Sequence, residues 1–246
     1  LDIDFTLSVS GIPFNGGGFI RDNNVYLRSD SVNLNSLFMP NLFDLDLISN
    51  GKVDIEYKYN ERQSNLYIGG LFENFSIEGF NLGKVATKLN YDFFNEKLTI
   101  SEASGKIGGS RYVGFGSFNF VNDTYLNLDI NFSDLNLNDL LMIMPEHLGR
   151  SKEYIEYFNT IGRGKVKIFG LLDFNELEII GSIDGRGLNF IQEDFDNYAS
   201  IVMLKKKKLS IGPFNLSKGN AFIGGFFKFD FVDEDINFDL KSNKLK

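Results

Sequence analysis

Leu126-Asn127-Leu128-Asp129-Ile130-Asn131-Phe132-Ser133 alternates apolar and polar residues without a break. Successive side chains on a β-strand point to opposite faces, so this stretch makes a strand with one greasy face and one wet face. The same period recurs on both sides of it. Leu1, Ile3, Phe5, Leu7 and Val9 alternate with Asp2, Asp4, Thr6 and Ser8, and Val53, Ile55, Tyr57 and Tyr59 alternate with Lys52, Asp54, Glu56 and Lys58. Val85, Thr87, Leu89, Tyr91 and Phe93 keep the rule, as do Phe227, Phe229 and Phe231 and then Ile236, Phe238 and Leu240. Turn signals stand between the runs: Ser49-Asn50-Gly51, Gly69-Gly70, Asn95-Glu96, Gly108-Gly109, Asn122-Asp123, Gly185 to Gly187 and Gly224-Gly225. The pattern predicts about twelve antiparallel strands with one face in water. Helix signal is scarce. A segment from Asn138 stops at Pro145, and one short helix is expected near 151–161, where Ser151 can cap and Tyr154, Ile155 and Phe158 fall on one side.

Composition narrows the function. The 246 residues include 25 basic and 33 acidic side chains, a net charge of −8, which argues against nucleic acid as the partner. With 43% hydrophobic and 24% charged residues, the chain can bury a sizeable core. There is no Cys and one His, which excludes disulfides, thiolate metal sites and a His-rich metal centre. Phe, at 26 residues, is unusually frequent and Trp is absent, so many rings must find an apolar place. No run of apolar residues is long enough to span a bilayer as a helix. The chain opens on Leu1-Asp2-Ile3-Asp4 and reads as a segment of a longer protein, with any membrane association through segments outside it.

The sequence also repeats. Gly51-Lys52-Val53-Asp54-Ile55 recurs as Gly164-Lys165-Val166-Lys167-Ile168, and Phe118-Asn119-Phe120-Val121 as Phe229-Asp230-Phe231-Val232. Gly105-Lys106-Ile107-Gly108-Gly109 echoes Gly219 to Gly225. Repeats at a fixed spacing mean stacked units that share a core. The expected organisation is the tail of a preceding repeat at 1–48, a repeat at 49–162 ending in the short helix, and a second repeat at 163–246.

So many amphipathic strands make a greasy sheet face larger than water tolerates. The sheet must close into a barrel, fold into a sandwich, dimerise, or curl into a trough that holds something apolar. A repeating chain extends rather than closes, which favours an elongated, curled antiparallel sheet forming an open groove. Acyl chains are the natural filling. Each buried methylene contributes about 0.8 kcal/mol, so a chain of about sixteen carbons gains on the order of 10 kcal/mol.

From Lys97 to Leu141 the order is Lys97-Leu98-Thr99-Ile100, Gly105-Lys106-Ile107-Gly108-Gly109, Gly114-Phe115-Gly116-Ser117-Phe118, Leu126-Asn127-Leu128-Asp129-Ile130 and Asp134-Leu135-Asn136-Leu137-Asn138-Asp139-Leu140-Leu141. This resembles the repeat of the TamB and AsmA-like proteins of diderm bacteria, and Leu209 to Leu245 is a looser second copy. The resemblance implies a taco-shaped β-groove in a periplasmic protein anchored in the inner membrane. It implies phospholipid transport toward the outer membrane, with an outer-membrane β-barrel protein as a partner.

Enzyme chemistry finds no footing. His147, beside Pro145 and Glu146, would need an oriented partner and a nucleophile, and no G-x-S-x-G occurs. Gly16-Gly17-Gly18 and Gly162-Arg163-Gly164-Lys165 lack the phosphate-loop spacing and read as hairpin turns. Asp44, Asp46, Asp123, Asp129, Asp134 and Asp139 form no calcium loop and read as a wet sheet face. Lys205 to Lys208 reads as a solvated hairpin tip, with anionic head groups the alternative. No catalytic residue, metal or cofactor is expected. The groove residues are expected to be Val53, Ile55, Leu89, Tyr91, Leu126, Leu128, Ile130, Phe132, Phe227, Phe229, Ile236 and Phe238. The rival functions are a scaffold for assembly of outer-membrane β-barrel proteins, which would offer strand edges to clients, and a closed β-domain with a structural role.

Overall fold

The computed structural model describes residues 2–9, 12–19, 24–33, 47–48, 50–60, 62–77, 80–136, 139, 158–171, 173, 175–190, 193–230, 232–233 and 235–243. Sixteen strands lie among them, and every pairing described below is antiparallel. The chain divides into two compact units. The first runs to Ile107 and takes in Val113–Thr124; the second takes Gly108–Tyr112 and the described residues from Tyr125 onward.

The first unit holds β1 (Asp2–Val9), β2 (Ile12–Phe19), β3 (Asn24–Asn33), β4 (Leu47–Ile48), β5 (Asn50–Asn60), β6 (Gln63–Ile77), β7 (Phe80–Asp92) and β8 (Lys97–Ile107). They neighbour one another in chain order, except that β4 pairs with β6 off the main path. β9 (Ser110–Asn119) is divided after Tyr112. The second unit holds β10 (Tyr125–Asn136), β11 (Phe158–Leu171), β12 (Glu178–Phe190), β13 (Glu193–Lys205), β14 (Lys208–Lys218), β15 (Ala221–Asp230) and β16 (Ile236–Ser242), again in chain order. Among the described residues neither run returns to its first strand, so the fold is all-β with an open antiparallel sheet in each unit. Consecutive hairpins explain the order, because a short connection can only bring the next strand back antiparallel to the last.

Register sorts the side chains. In the first unit Leu27, Ile55, Ile68, Leu89 and Ile100 stand opposite one another across five strands, and Tyr57, Leu66, Tyr91 and Leu98 form a parallel row. One position along, on the other face, Lys88 pairs with Glu102 at 3.0 Å. The period-two pattern therefore becomes one apolar and one polar face once the strands are in register.

Two expectations fail. The short helix near 151–161 is not formed where it can be seen: Phe158 to Ile161 open β11, while 151–157 lie outside the described residues. Phe158 pairs with Phe190 and Asn159 with Asn189, and Thr160 Oγ1 donates to the Arg186 carbonyl at 3.2 Å. Thr160 and Ile161 are β-branched and suit a strand, so ladder bonds to β12 override a local capping signal. Many glycines are also not turns. Gly16 to Gly18, Gly51, Gly69-Gly70, Gly162, Gly164, Gly185 to Gly187 and Gly224-Gly225 lie within β2, β5, β6, β11, β12 and β15. Gly162 and Gly185 show why: they face each other and Tyr198 across the sheet, and a Cβ on either would collide with the Tyr198 hydroxyl. The missing side chains make room for that ring.

Candidate functional site

The second unit carries two apolar rows that run across all seven of its strands, the second interrupted at Gly181. The first is Leu128, Ile168, Ile179, Leu204, Leu209, Phe229 and Ile236, each directly opposite the next. The second is Ile130, Val166, Gly181, Val202, Ile211, Phe227 and Phe238. A third, from Phe132 through Gly164, Ile183, Ser200, Phe214 and Gly225 to Leu240, has smaller residues between larger ones. Six inter-strand steps of about 4.8 Å make each row about 29 Å long. From β10 to β15 the residues of the first two rows are half-buried, and at β16 they are exposed. An apolar surface of this extent left half-open to water is a surface built to be covered.

The first unit buries more of its apolar face, although Ile55, Tyr57, Leu66 and Ile100 on it are half-buried. Val53 is 2% exposed and Phe72 fully buried, and Ile68, Val85, Leu89, Tyr91 and Leu98 are buried with them. Aromatic rings fill the space. Tyr91 meets Phe93 edge-on at 4.8 Å, Phe93 meets Tyr57 at 6.1 Å, Tyr91 reaches Phe120 at 6.1 Å, and Phe72 packs on Phe75 at 5.6 Å. Burial pushes the Tyr91 hydroxyl above its ordinary value, with Glu96 and Asp92 adding to the rise. In the second unit Tyr112 and Phe132 form one ring contact at 6.0 Å, and desolvation raises the Tyr112 hydroxyl strongly.

The structure thus divides the expected groove residues. Val53, Leu89 and Tyr91 are buried in the first unit, where Ile55 is half-buried on the same face. Leu126 is buried at the start of β10. Leu128, Ile130, Phe132, Phe227 and Phe229 are half-buried and Ile236 and Phe238 exposed, all on the rows of the second unit. The half-open residues come together there, and Ile168, Ile179, Val202, Leu204, Leu209 and Ile211 join them. Leu209 and Ile211 alternate with polar residues, but Ile179 stands beside Ile180, and Val202 and Leu204 lie in the apolar run Ile201 to Leu204, so only the register shows which of these side chains share a face.

Asp139 is a correction. It does not lie on a wet sheet face but is buried, and its Oδ2 accepts from the Gly109 N–H at 2.8 Å, the Ser110 N–H at 2.8 Å and the Ser110 hydroxyl at 2.7 Å. The carboxylate holds the turn that opens β9, where Gly108 has φ +54° and a Cβ would strike Asp139. Ser110 Oγ in turn accepts from the Asn136 N–H at 2.8 Å. These bonds tie Asp139 Oδ2 to the turn from within the chain.

The lysine run is a hairpin tip. Lys205 pairs with Glu178 at 2.7 Å and Lys208 with Asp230 at 2.8 Å, while Lys206 and Lys207 form the turn at φ +50° and +60°. The bond to Asp230 raises the Lys208 ammonium and holds the Asp230 carboxyl below its ordinary value. On the polar face of the first unit, a crease of about 630 Å³ is lined by Asn90, Asp92, Phe94, Asn95, Lys97 and Thr99, among others. Asp92 is already engaged there: it accepts from the Asn95 side chain at 2.6 Å and the Phe94 N–H at 2.9 Å, and the Asn95 bond chiefly lowers its carboxyl. No group of acidic or histidine side chains among the described residues could hold a metal ion, and no described helix is long and apolar enough to cross a membrane. His147 lies outside the described residues, as do Asp44 and Asp46.

No family model, no curated protein and no solved structure matches the chain.

Proposed function

We propose that the second unit binds phospholipid acyl chains along its two seven-strand apolar rows, as part of a periplasmic, inner-membrane-anchored carrier that moves lipid toward the outer membrane. The observation that carries the reading is the pair of rows, half-open from Leu128 to Phe229 and from Ile130 to Phe227. Their length, about 29 Å, is about that of a bilayer's hydrocarbon core, which two acyl chains span end to end. Apolar contacts are non-directional, so a tail can slide from one strand to the next without breaking a specific bond. The resemblance of Lys97 to Leu141 to the TamB and AsmA-like repeat supports the same reading. No residue in it performs covalent chemistry. The more deeply buried face of the first unit favours a structural role for that part of the chain.

Native mass spectrometry with lipid extraction tests the proposal. The purified chain should carry phospholipid, and Leu128→Asp or Ile130→Arg should strip it while the strands remain. A chain that comes without lipid, or whose lipid content ignores both charges, rules the carrier out.

A further inference from the structure

We infer that the face of the second unit turned away from the rows docks on an anionic phospholipid surface, through the exposed side chains of Ile180, Ile201 and Met203 and the lysines that frame them. Alternation alone would make this face polar throughout, and at β12 and β13 it is not. Ile180 is 39% exposed, Ile201 41% and Met203 38%. Met203 stands directly opposite Ile180, and Ile201 is two positions along the same strand. Val202 and Leu204 serve the rows on the other face, so the run Ile201 to Leu204 is apolar on both sides of the sheet. Three large apolar side chains gathered on a wet face form a patch rather than scattered exposures.

Charge says what the patch meets. One row across this face runs Lys167, Ile180, Met203, Ser210 and Lys228, so a lysine closes it at each end, about 19 Å apart. Lys165 begins the next row, opposite Ser182, which stands opposite Ile201. Lys206 and Lys207 cap the hairpin beyond Met203. Between tip and patch the charges cancel, because Lys205 pairs with Glu178 and Lys208 with Asp230. The five lysines outside those pairs form no ion pair with a described residue, and Lys167 lies over the Phe169 ring at 5.9 Å. Set against them in these rows is Asp129, opposite Lys167. This positive cluster belongs to a chain whose net charge is −8. The turn adds an independent observation: Lys206 and Lys207 sit at φ +50° and +60°, so their charge is placed there against the preference of the backbone. A bilayer answers both halves of the surface. Apolar side chains enter the boundary between head groups and acyl chains, while lysine stems reach along them to the phosphates. A soluble polyanion would meet the lysines and leave the patch in water.

The test mixes the whole chain with vesicles of equal parts phosphatidylglycerol and phosphatidylcholine, or of phosphatidylcholine alone, and floats them. Binding is expected to the anionic vesicles and not to the neutral ones, and it should fall as salt rises. Lys206→Asn with Lys207→Gly suits the turn and should weaken binding about thirtyfold. Ile201→Ser with Met203→Ser keeps every charge and should weaken it about tenfold. The chain has no Trp, so Met203→Trp supplies a single reporter at an exposed position. Its emission should shift to the blue, and brominated lipid in the anionic vesicles should quench it. None of these positions presents its side chain to the rows, so co-purifying lipid should not change, and vesicle binding is expected even of a chain that carries none. The inference is overturned if neutral vesicles bind equally, if either double variant binds as the parent does, or if the reporter stays in water on bound vesicles. It is equally overturned if the reporter is shielded before vesicles are added and the chain sediments as a dimer, which gives the face to a second copy.

Discussion

The two units use the same alternation and bury their apolar faces to different depths. Strands β5 to β8 bury Val53, Ile68, Phe72, Val85, Leu89 and Tyr91, while β10 to β16 leave the equivalent rows half-open and end them at exposed Ile236 and Phe238. Ring content accounts for much of the difference. Tyr57, Phe93, Tyr91 and Phe120 interlock over the first face, where edge-to-face pairs add to the area they bury. In the second unit Gly164, Gly181 and Gly225 occupy row positions and contribute no side chain to the rows. A core and a binding surface can therefore be written in one pattern, and volume at a few positions decides which results.

The sharpest way to break that comparison is to delete the same side chain from each face. Phe72→Ala removes a fully buried ring and should cost about 3–5 kcal/mol. Phe227→Ala, on the half-open row, should cost about 1–2 kcal/mol, because less surface leaves water there on folding. Hydrogen exchange resolves the two, with protection lost across β5 to β7 in the first variant and largely kept across β14 to β16 in the second. Equal losses would mean that the faces do not differ in packing.

Asp139→Ala comes next. Three donors on Gly109 and Ser110 lose their acceptor, and stranded donors beside a vanished charge should cost about 2–3 kcal/mol. Exchange of the Gly109 and Ser110 amides should rise first. Asp139→Asn keeps an acceptor of nearly the same shape and should lose less.

Alkaline titration sharpens the contrast from another side. Burial holds the hydroxyls of Tyr91, Tyr112 and Tyr198 above their ordinary value. A raised value in the folded chain means that the stability is fully present below about pH 10 and is lost as pH climbs through the raised values. Phenolate absorbance should therefore show these three titrating late and together with unfolding, and Tyr112→Phe should delay the alkaline transition of the second unit. A transition unmoved by that substitution would remove Tyr112 from its cause.

Much of the fold was legible in residues such as Leu126 to Phe132, because period two is a local property and needs no partner. The rows were not, since the pairing of Leu128 with Ile168 and Ile179 depends on register across tens of residues. Glycines misled for a related reason: Gly162 and Gly185 look like turns until Tyr198 is seen between them. The helix expected at 151–161 failed at its second half because a Ser cap is a local signal and β12 was already waiting as a partner. Asp139 resembled its alternating neighbours, and only a contact 29 positions back to Ser110 shows it to be buried. Of the site, the alternating hydrophobes were visible, but which of them stay open was a matter of ring packing that no single strand encodes.

The smallest effect tests two turns at equivalent places in the repeat. The turn after β7 places Glu96 at φ +46° and is braced by the Asp92 carboxylate, which accepts from the Phe94 N–H at 2.9 Å and the Asn95 N–H at 3.2 Å. The turn after β13, with Lys207 111 positions beyond Glu96, places two lysines in the left-handed region. A two-residue hairpin of this geometry favours Asn-Gly, because a Cβ at positive φ crowds the backbone. Replacing Lys206-Lys207 with Asn-Gly should therefore stabilise the second unit by about 1 kcal/mol, read as a higher melting midpoint, with the Lys205–Glu178 and Lys208–Asp230 pairs left intact. The matching change at Asn95-Glu96, to Asn-Gly, relieves only one such residue and should gain less. If the lysine turn gains nothing, its backbone is not strained. If it gains as expected, two lysines are held there against the preference of the turn, and their charge is what the position keeps.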